Sequence, residues 1–172
     1  MPNEIPHLTL VLGGARSGKS AHAEGLVAGF SPPWSYIATA QAWDDEMAER
    51  IALHRSRRGA GWQTLDAPHD LAATLKALPS GRPVLVDCLT LWLSNRMLAE
   101  ADLASECAAL VEALASHDGP VVVVSNEVGL GIVPDNALAR RFRDAQGRLN
   151  QAVAARADSV LFMVAGLPMK VK

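Results

Sequence analysis

Short apolar runs alternate with longer amphipathic stretches along the chain, and turn residues separate most of them. Residues 7–12 (HLTLVL) are a β-rich run ending in two glycines, and residues 20–30 have helical composition until Ser31-Pro32-Pro33-Trp34 breaks it. Residues 35–39 (SYIAT) read as a second strand. Residues 43–58 read as a helix with an acidic start and a basic end, both suited to its dipole, that stops at Gly59-Ala60-Gly61. Residues 62–66 (WQTLD) fit either a third short strand or an excursion from the sheet. A helix over 69–78 ends at the turn residues of 79–83. Residues 84–88 (VLVDC) form an apolar strand ending in an acid. Two helical segments follow over 89–116, and residues 120–126 (PVVVVSN) carry the strongest strand signal. A long helix over about 136–157 puts Leu138, Phe142, Leu149 and Val153 on one face, and residues 159–166 close the pattern with a last strand.

Strands that are apolar on both faces and separated by helices predict a mostly parallel sheet with helices on both sides. No repeat, linker or low-complexity segment interrupts the chain, so residues 1–172 read as a single α/β domain.

The first strand leads into GGARSGKS, residues 13–20, which fits G-x-x-x-x-G-K-[ST] in its required strand–loop–helix setting. That makes the expected fold P-loop NTPase-like. Glycines let the backbone approach phosphate oxygens, and the loop amides and helix N-terminus supply partial positive charge. Lys19 is placed to reach the β- and γ-phosphates, and Ser20 to ligate Mg²⁺. Such a site needs an acid at the end of a neighbouring apolar strand, and Asp87 supplies it. Asn126 and Glu127 leave another strand at its C-terminal end, where open α/β sheets bind ligands. Glu127 is a candidate base or substrate contact, or a solvated loop acid.

Composition narrows the class. With 49% hydrophobic and 20% charged residues the chain is an ordinary globular protein, and its net charge of −2 offers no global field for nucleic acid. No apolar run reaches the roughly 18 residues of a membrane helix, and the N-terminus lacks signal-peptide character. The two cysteines, Cys88 and Cys107, sit outside any metal or redox spacing and read as reduced. A cytoplasmic enzyme without membrane span or nucleic-acid partner is the expectation.

One stretch is not explained by nucleotide binding in general. RIALHRSRR, residues 50–58, sets His54 among arginines. On a helix Met47, Ile51, His54 and Arg58 form one stripe, which directs His54 and Arg58 toward the protein body or something bound against it. Arg55, Arg57 and Arg58 form a cationic turn without an acid, which suits an anion. The same pattern also fits a structural histidine beside a basic patch.

The residues together resemble the bifunctional adenosylcobinamide kinase / adenosylcobinamide-phosphate guanylyltransferase family of cobalamin biosynthesis. The resemblance runs through nearly the whole chain. It is carried by GGARSGKS followed by AHAE, YIATAQAWDDEMAERIALHRSRR with the later Trp62, VLVDCLTLWLSN, VSNEVGLGIVPDNALARRFRDAQGRLNQ and the terminal VAGLPMKVK. The phosphate loop is shared by many families, whereas the DDEM…RI…HR…R block and NEVGLGIVP are far more specific.

The resemblance implies two reactions. ATP or GTP phosphorylates the aminopropanol hydroxyl of adenosylcobinamide, and GTP then transfers GMP to adenosylcobinamide-phosphate through a GMP–histidine intermediate. His54 matches that nucleophile; members often carry two adjacent histidines here, and this chain has Leu53 then His54. The implied nucleotide contacts are Gly13, Gly14, Ala15, Arg16, Ser17, Gly18, Lys19, Ser20, Thr39, Ala40, Gln41, Arg55, Ser56, Arg57, Arg58, Asp66 and Asp87, with Ser20 and Asp87 at Mg²⁺. Asp66 and Asp87 stand where members can carry Glu, and either suits guanine's N1–H and N2 amine. The resemblance also implies a homotrimer. A P-loop small-molecule kinase with His54 structural, and a motor-type P-loop protein, are the competing classes; the second calls for partner-binding extensions that this compact chain lacks.

Overall fold

The computed structural model describes residues 6–42, 44–56 and 58–172, apart from the side chains of Arg50 and His54. The elements are β1 (Leu8–Gly13), α1 (Lys19–Ala28), β2 (Trp34–Ala38), α2 (Asp45–Ser56), β3 (Trp62–Asp66), α3 (Leu71–Lys76) and β4 (Val84–Asp87). They continue with α4 (Leu89–Leu98), α5 (Leu103–Ser116), β5 (Val121–Asn126), α6 (Ala137–Arg156), β6 (Ser159–Val164) and β7 (Leu167–Lys170). One seven-stranded sheet has the order β3-β2-β4-β5-β1-β6-β7. Every pairing is parallel except β6 with β7.

The apolar character of β1, β4 and β5 on both faces follows from what covers them. On one face Leu8, Leu10, Val84, Val86, Val121 and Val123 pack with side chains of α3, α4, α5 and α6. On the other, Val11, Leu85, Val122 and Val124 pack against Ala23 and Val27 of α1 and against Tyr36. Side-chain caps start several helices among the described residues: Asp44 accepts from the Met47 amide, Asp102 from the Ser105 amide and Asn136 from the Ala139 amide.

Residues 62–66, open between strand and excursion on sequence, are a true strand, with Trp62 beside Trp34 in register. It is an edge strand with half-buried and exposed residues, so it lacks a clear period-two signal. The expectation that residues 159–166 close the fold is corrected. The chain turns at Ala165 and Gly166, both with left-handed φ, and returns as antiparallel β7. All of β7 is exposed and it contains Pro168, a composition that edge strands tolerate and that hides them from hydrophobic patterning.

The long helix falls where its period places it. Leu149 and Val153 are buried, Phe142 is partly buried, and Leu138 is 51% exposed, so the stripe reaches the core only after the first turn. Buried Gln146 and Asn150 tie α6 to the end of β5: Gln146 Nε2 donates to Ser125 Oγ, which donates to Asn150 Oδ1, while Asn150 Nδ2 donates to the Asn126 carbonyl. This polar network, in which Gln146 Oε1 alone has no partner among the described residues, fixes the strand end beside the phosphate loop.

Candidate active site

The loop from Gly14 to Gly18 joins the end of β1 to α1. Gly18 caps the helix with φ 90°, and Arg16 also takes a left-handed φ of 54°. Gly13 has no room for a side chain, since a Cβ would lie 2.5 Å from Ser17 Oγ. The C-terminal hairpin braces the loop from outside, with the Gly166 amide donating to the Ser17 carbonyl at 3.0 Å. Lys19 is buried and donates to the Gly14 carbonyl and, at 3.4 Å, to Ser17 Oγ. Burial lowers its pKa, while Cys88 and Asp87 act in the opposite direction.

Gly18→Ala should damage the loop twice. It forces an alanine to a left-handed φ, and its Cβ would sit 3.2 Å from the Gly166 Cα. The backbone term alone costs about 1–2 kcal/mol. A lower unfolding midpoint and weaker GTP binding, read by calorimetry, are the expected outcomes; unchanged binding would show that the loop geometry does not need Gly18.

Beside this loop lies a cavity of about 300 Å³. Ser20, Asp87, Thr90 and Asn126 line it from the loop and the strand ends, and Ala40 from beyond β2. From α2 and the turn after it come Met47, Ile51, Arg55 and Arg58. The stripe expected from sequence therefore faces the cavity at Met47, Ile51 and Arg58. His54 is helical and lies on that stripe between Ile51 and Arg58, but its side chain is outside the described residues, as is all of Arg57.

Polar contacts organise the walls. Tyr36 donates its hydroxyl to Asp87 Oδ2 at 2.8 Å. Burial, with Asp87 adding to it, raises the Tyr36 pKa far above the usual phenol range, so the hydroxyl stays a donor. The Arg58 guanidinium lies 3.6 Å over the Tyr36 ring centroid. One of its nitrogens reaches Thr64 Oγ1 at 3.5 Å, while Nε and Nη1 are buried without a partner among the described residues. The Cys88 thiol is pushed up to about 11, mainly by burial, and is protonated at neutral pH.

The other expected contacts are distributed unevenly. Arg55 holds Asp66 through both carboxylate oxygens, the longer contact being 2.7 Å, and both side chains are exposed. Asp66 does not line the cavity. Thr39 is fully buried, donating to the Cys88 carbonyl at 2.6 Å and accepting from the Cys88 amide at 2.9 Å. Gln41 bonds His69 at 2.8 Å, and its Oε1 is buried without a partner among the described residues. Ser56 donates to the Leu53 carbonyl within its own helix. Glu127 accepts from the Gly129 amide at 3.2 Å, folding into its own loop. Asn126, placed by sequence at a ligand-binding strand end, lines the cavity; Tyr36 and Thr90 were not singled out as ligand contacts from sequence, and Tyr36 sits inside an apolar strand and carries no motif.

The fold has known counterparts. The solved RadB recombinase superposes with a TM-score of 0.54 at 18% identity, covering 90% of this chain and 73% of that one. An ATPase of the type III secretion system of pathogenic bacteria gives 0.53 at 12% identity, covering 95% and 56%. The parallel sheet and its glycine loop thus have the fold of P-loop NTPases. Within that class, the family described as cobinamide kinase / cobinamide phosphate guanyltransferase matches residues 9–171, and the chain belongs to it. The bifunctional adenosylcobalamin biosynthesis protein CobP of Pseudomonas aeruginosa is 54% identical over 166 residues, covering 95% of this chain and 96% of the relative. The corresponding CobU of Salmonella typhimurium is 42% identical over 181 residues, covering 96% and 99%.

Proposed function

We propose that residues 1–172 form one catalytic domain that phosphorylates the aminopropanol hydroxyl of adenosylcobinamide with ATP or GTP, then attaches GMP to the resulting phosphate. Family membership supports both activities. The observation that carries their shared site is the cavity. It joins the phosphate-loop residue Ser20 and the strand-end Asp87 to Arg58, two of whose guanidinium donors are buried without a partner among the described residues. A buried cationic fork without partners is costly unless an anion completes it, and the phosphates of a nucleotide do so.

In the first reaction the loop amides and Lys19 hold the nucleotide and offset the charge of the transferring γ-phosphoryl group. In the second, a neutral imidazole nitrogen of His54 bonds to the α-phosphorus of GTP, the bond to the β-phosphate oxygen breaks, and pyrophosphate leaves. The acceptor phosphate then displaces histidine and takes the GMP. Arg55 and Arg58 suit the oxygens of the α-phosphate and leaving group because the guanidinium fork binds two oxygens at once. Incubating the protein with adenosylcobinamide and GTP and following the corrinoid by mass tests the whole proposal. Two successive products, the phosphate and then the GDP ester, are expected; a single phosphate product would mark a kinase alone.

Mg²⁺ fits the donors present. Ser20 and Asp87 line one cavity with a hydroxyl and a carboxylate, the hard oxygen ligands that Mg²⁺ takes alongside water and nucleotide phosphate. When bound, the ion would neutralise phosphate charge. Asp87→Asn should raise the Mg²⁺ concentration for half-maximal rate by at least about tenfold. An unchanged Mg²⁺ dependence would remove Asp87 from the metal site.

The two cysteines are free, which suits a reducing, cytoplasmic setting. A homotrimer is the proposed assembly. The exposed Leu130, Ile132 and Val133 on one loop support self-association, and light scattering on the purified protein reads the mass directly.

A further inference from the structure

Tyr36 is the side chain through which the two oppositely charged walls of the cavity are held. Its hydroxyl meets the carboxylate of Asp87 at 2.8 Å, and its ring face carries the Arg58 guanidinium at 3.6 Å. Its ring is fixed in turn, since Trp62 packs edge-on at 6.0 Å and Tyr36 is only 5% exposed. The parallel pairing of β2 with β4 dictates this placement. Tyr36 lies opposite Leu85, and Asp87 is two residues further along, on the same face of the sheet.

The contact with Arg58 has a consequence for what that arginine can bind. A guanidinium held over a ring face keeps N–H groups at its periphery free to donate. Here one reaches Thr64, while Nε and Nη1 are buried and have no partner among the described residues. Nε–H and Nη1–H leave the guanidinium on separate edges, so each is a single charged donor that suits a phosphate oxygen. A lysine at this position would keep the charge and lose both the stacking plane and the fork.

We propose that Tyr36 is a positioning residue for nucleotide binding: its ring seats Arg58 so that its Nε and Nη1 donors meet phosphate oxygens of the nucleotide, while its hydroxyl orients Asp87. This rests on the nucleotide-site reading above and assigns to it a residue outside the phosphate loop and the basic block. Ring and hydroxyl are separable. Tyr36→Phe keeps the seat and loses the hold on Asp87; Tyr36→Leu loses both.

The probe is a GTP analogue with a methylene group between the α- and β-phosphorus, bound to full-length protein and followed by calorimetry. The wild type should bind it; no binding would overturn the nucleotide-site reading itself and with it this proposal. Tyr36→Phe should bind within about threefold of wild type, and Tyr36→Leu about tenfold more weakly. Arg58→Lys should show a loss like that of Tyr36→Leu, and the double variant should be no weaker than either single one, because both remove the same seated fork. The hydroxyl is read separately with Mn²⁺ as an electron-resonance probe in the presence of the analogue. Tyr36→Phe should weaken Mn²⁺ binding by about tenfold. Circular dichroism establishes that each variant is folded. Wild-type analogue affinity in Tyr36→Leu, additive losses in the double variant, or unchanged Mn²⁺ binding in Tyr36→Phe would each overturn the assigned role. If Tyr36→Leu does not fold, Arg58→Lys decides: unchanged affinity there overturns the fork, and a tenfold loss rescued by no other single change sustains it.

Discussion

Lys19→Met should abolish both half-reactions while leaving the protein as stable as before, or more so. Lys19 is buried in the loop, where desolvation lowers its pKa, while the Gly14 carbonyl and the nearby Asp87 favour its charge. Its ammonium is therefore a cost to the nucleotide-free fold and is placed for phosphate. Methionine keeps most of the buried methylenes and drops the charge. Removing one preorganised donor to a transferring phosphoryl group costs at least about 100-fold in rate. Both the phosphorylation of adenosylcobinamide and the transfer of GMP should fall by that factor or more, with the unfolding midpoint at or above that of the wild type. The pH dependence of stability follows from the sign of the shift. With the folded pKa below 10.5, the unfolded chain binds more protons in the interval between the two values. Stability conferred by this site thus rises as pH climbs toward 10.5, and Lys19→Met should lose that rise. A variant that phosphorylated adenosylcobinamide at the wild-type rate would refute the assignment of the loop.

The difference between what could and could not be read ahead lies in which features are local. The glycine loop is local: it is written in eight consecutive residues and needs only a strand before it and a helix after it. Asp87 is nearly so, because an acid ending an apolar run belongs at a strand's C-terminal edge. The α2 stripe of Met47, Ile51 and Arg58 follows from helical spacing, and the cavity wall bears it out. Tyr36 is different. Its partners come from β4 and from the turn after α2, and β2 pairs with β4 although β3 comes between them in the chain. Nothing along the sequence states that adjacency. Strand β7 escaped for another reason. Its four residues are all exposed and paired only to β6, so no hydrophobic period marks them. The brace from Gly166 to Ser17 was hidden with it. Thr39 illustrates the reverse: a position matched to nucleotide contact by resemblance uses its hydroxyl on the Cys88 backbone.

His54→Asn should separate the two reactions. Incubated with GTP labelled at the α-phosphate, the wild-type protein should become covalently labelled; with GTP labelled at the γ-phosphate it should not, because that phosphorus leaves with pyrophosphate. The adduct should be lost in acid and survive alkali, as a phosphorus–nitrogen bond to imidazole does and a phosphoserine ester does not. Asparagine removes the proposed nucleophile and keeps a polar side chain on α2, so the α-label and the transfer of GMP to adenosylcobinamide-phosphate should both disappear. The phosphorylation step should persist at much of its wild-type rate. It moves the γ-phosphoryl group directly to a hydroxyl and needs no protein nucleophile. Position supports this division. Lys19 and Ser20 belong to the phosphate loop, whereas His54 sits on the helix whose Ile51 and Arg55 line the same cavity from another side. One nucleotide pocket can thus serve two chemistries, with the loop acting on the γ-phosphate and α2 on the α-phosphate. Retention of the α-label in His54→Asn would move the nucleophile elsewhere and return His54 to the role of a neighbour in an anion-binding patch. Loss of phosphorylation together with the label, in a variant that still binds GTP, would show instead that the two steps share more than the pocket.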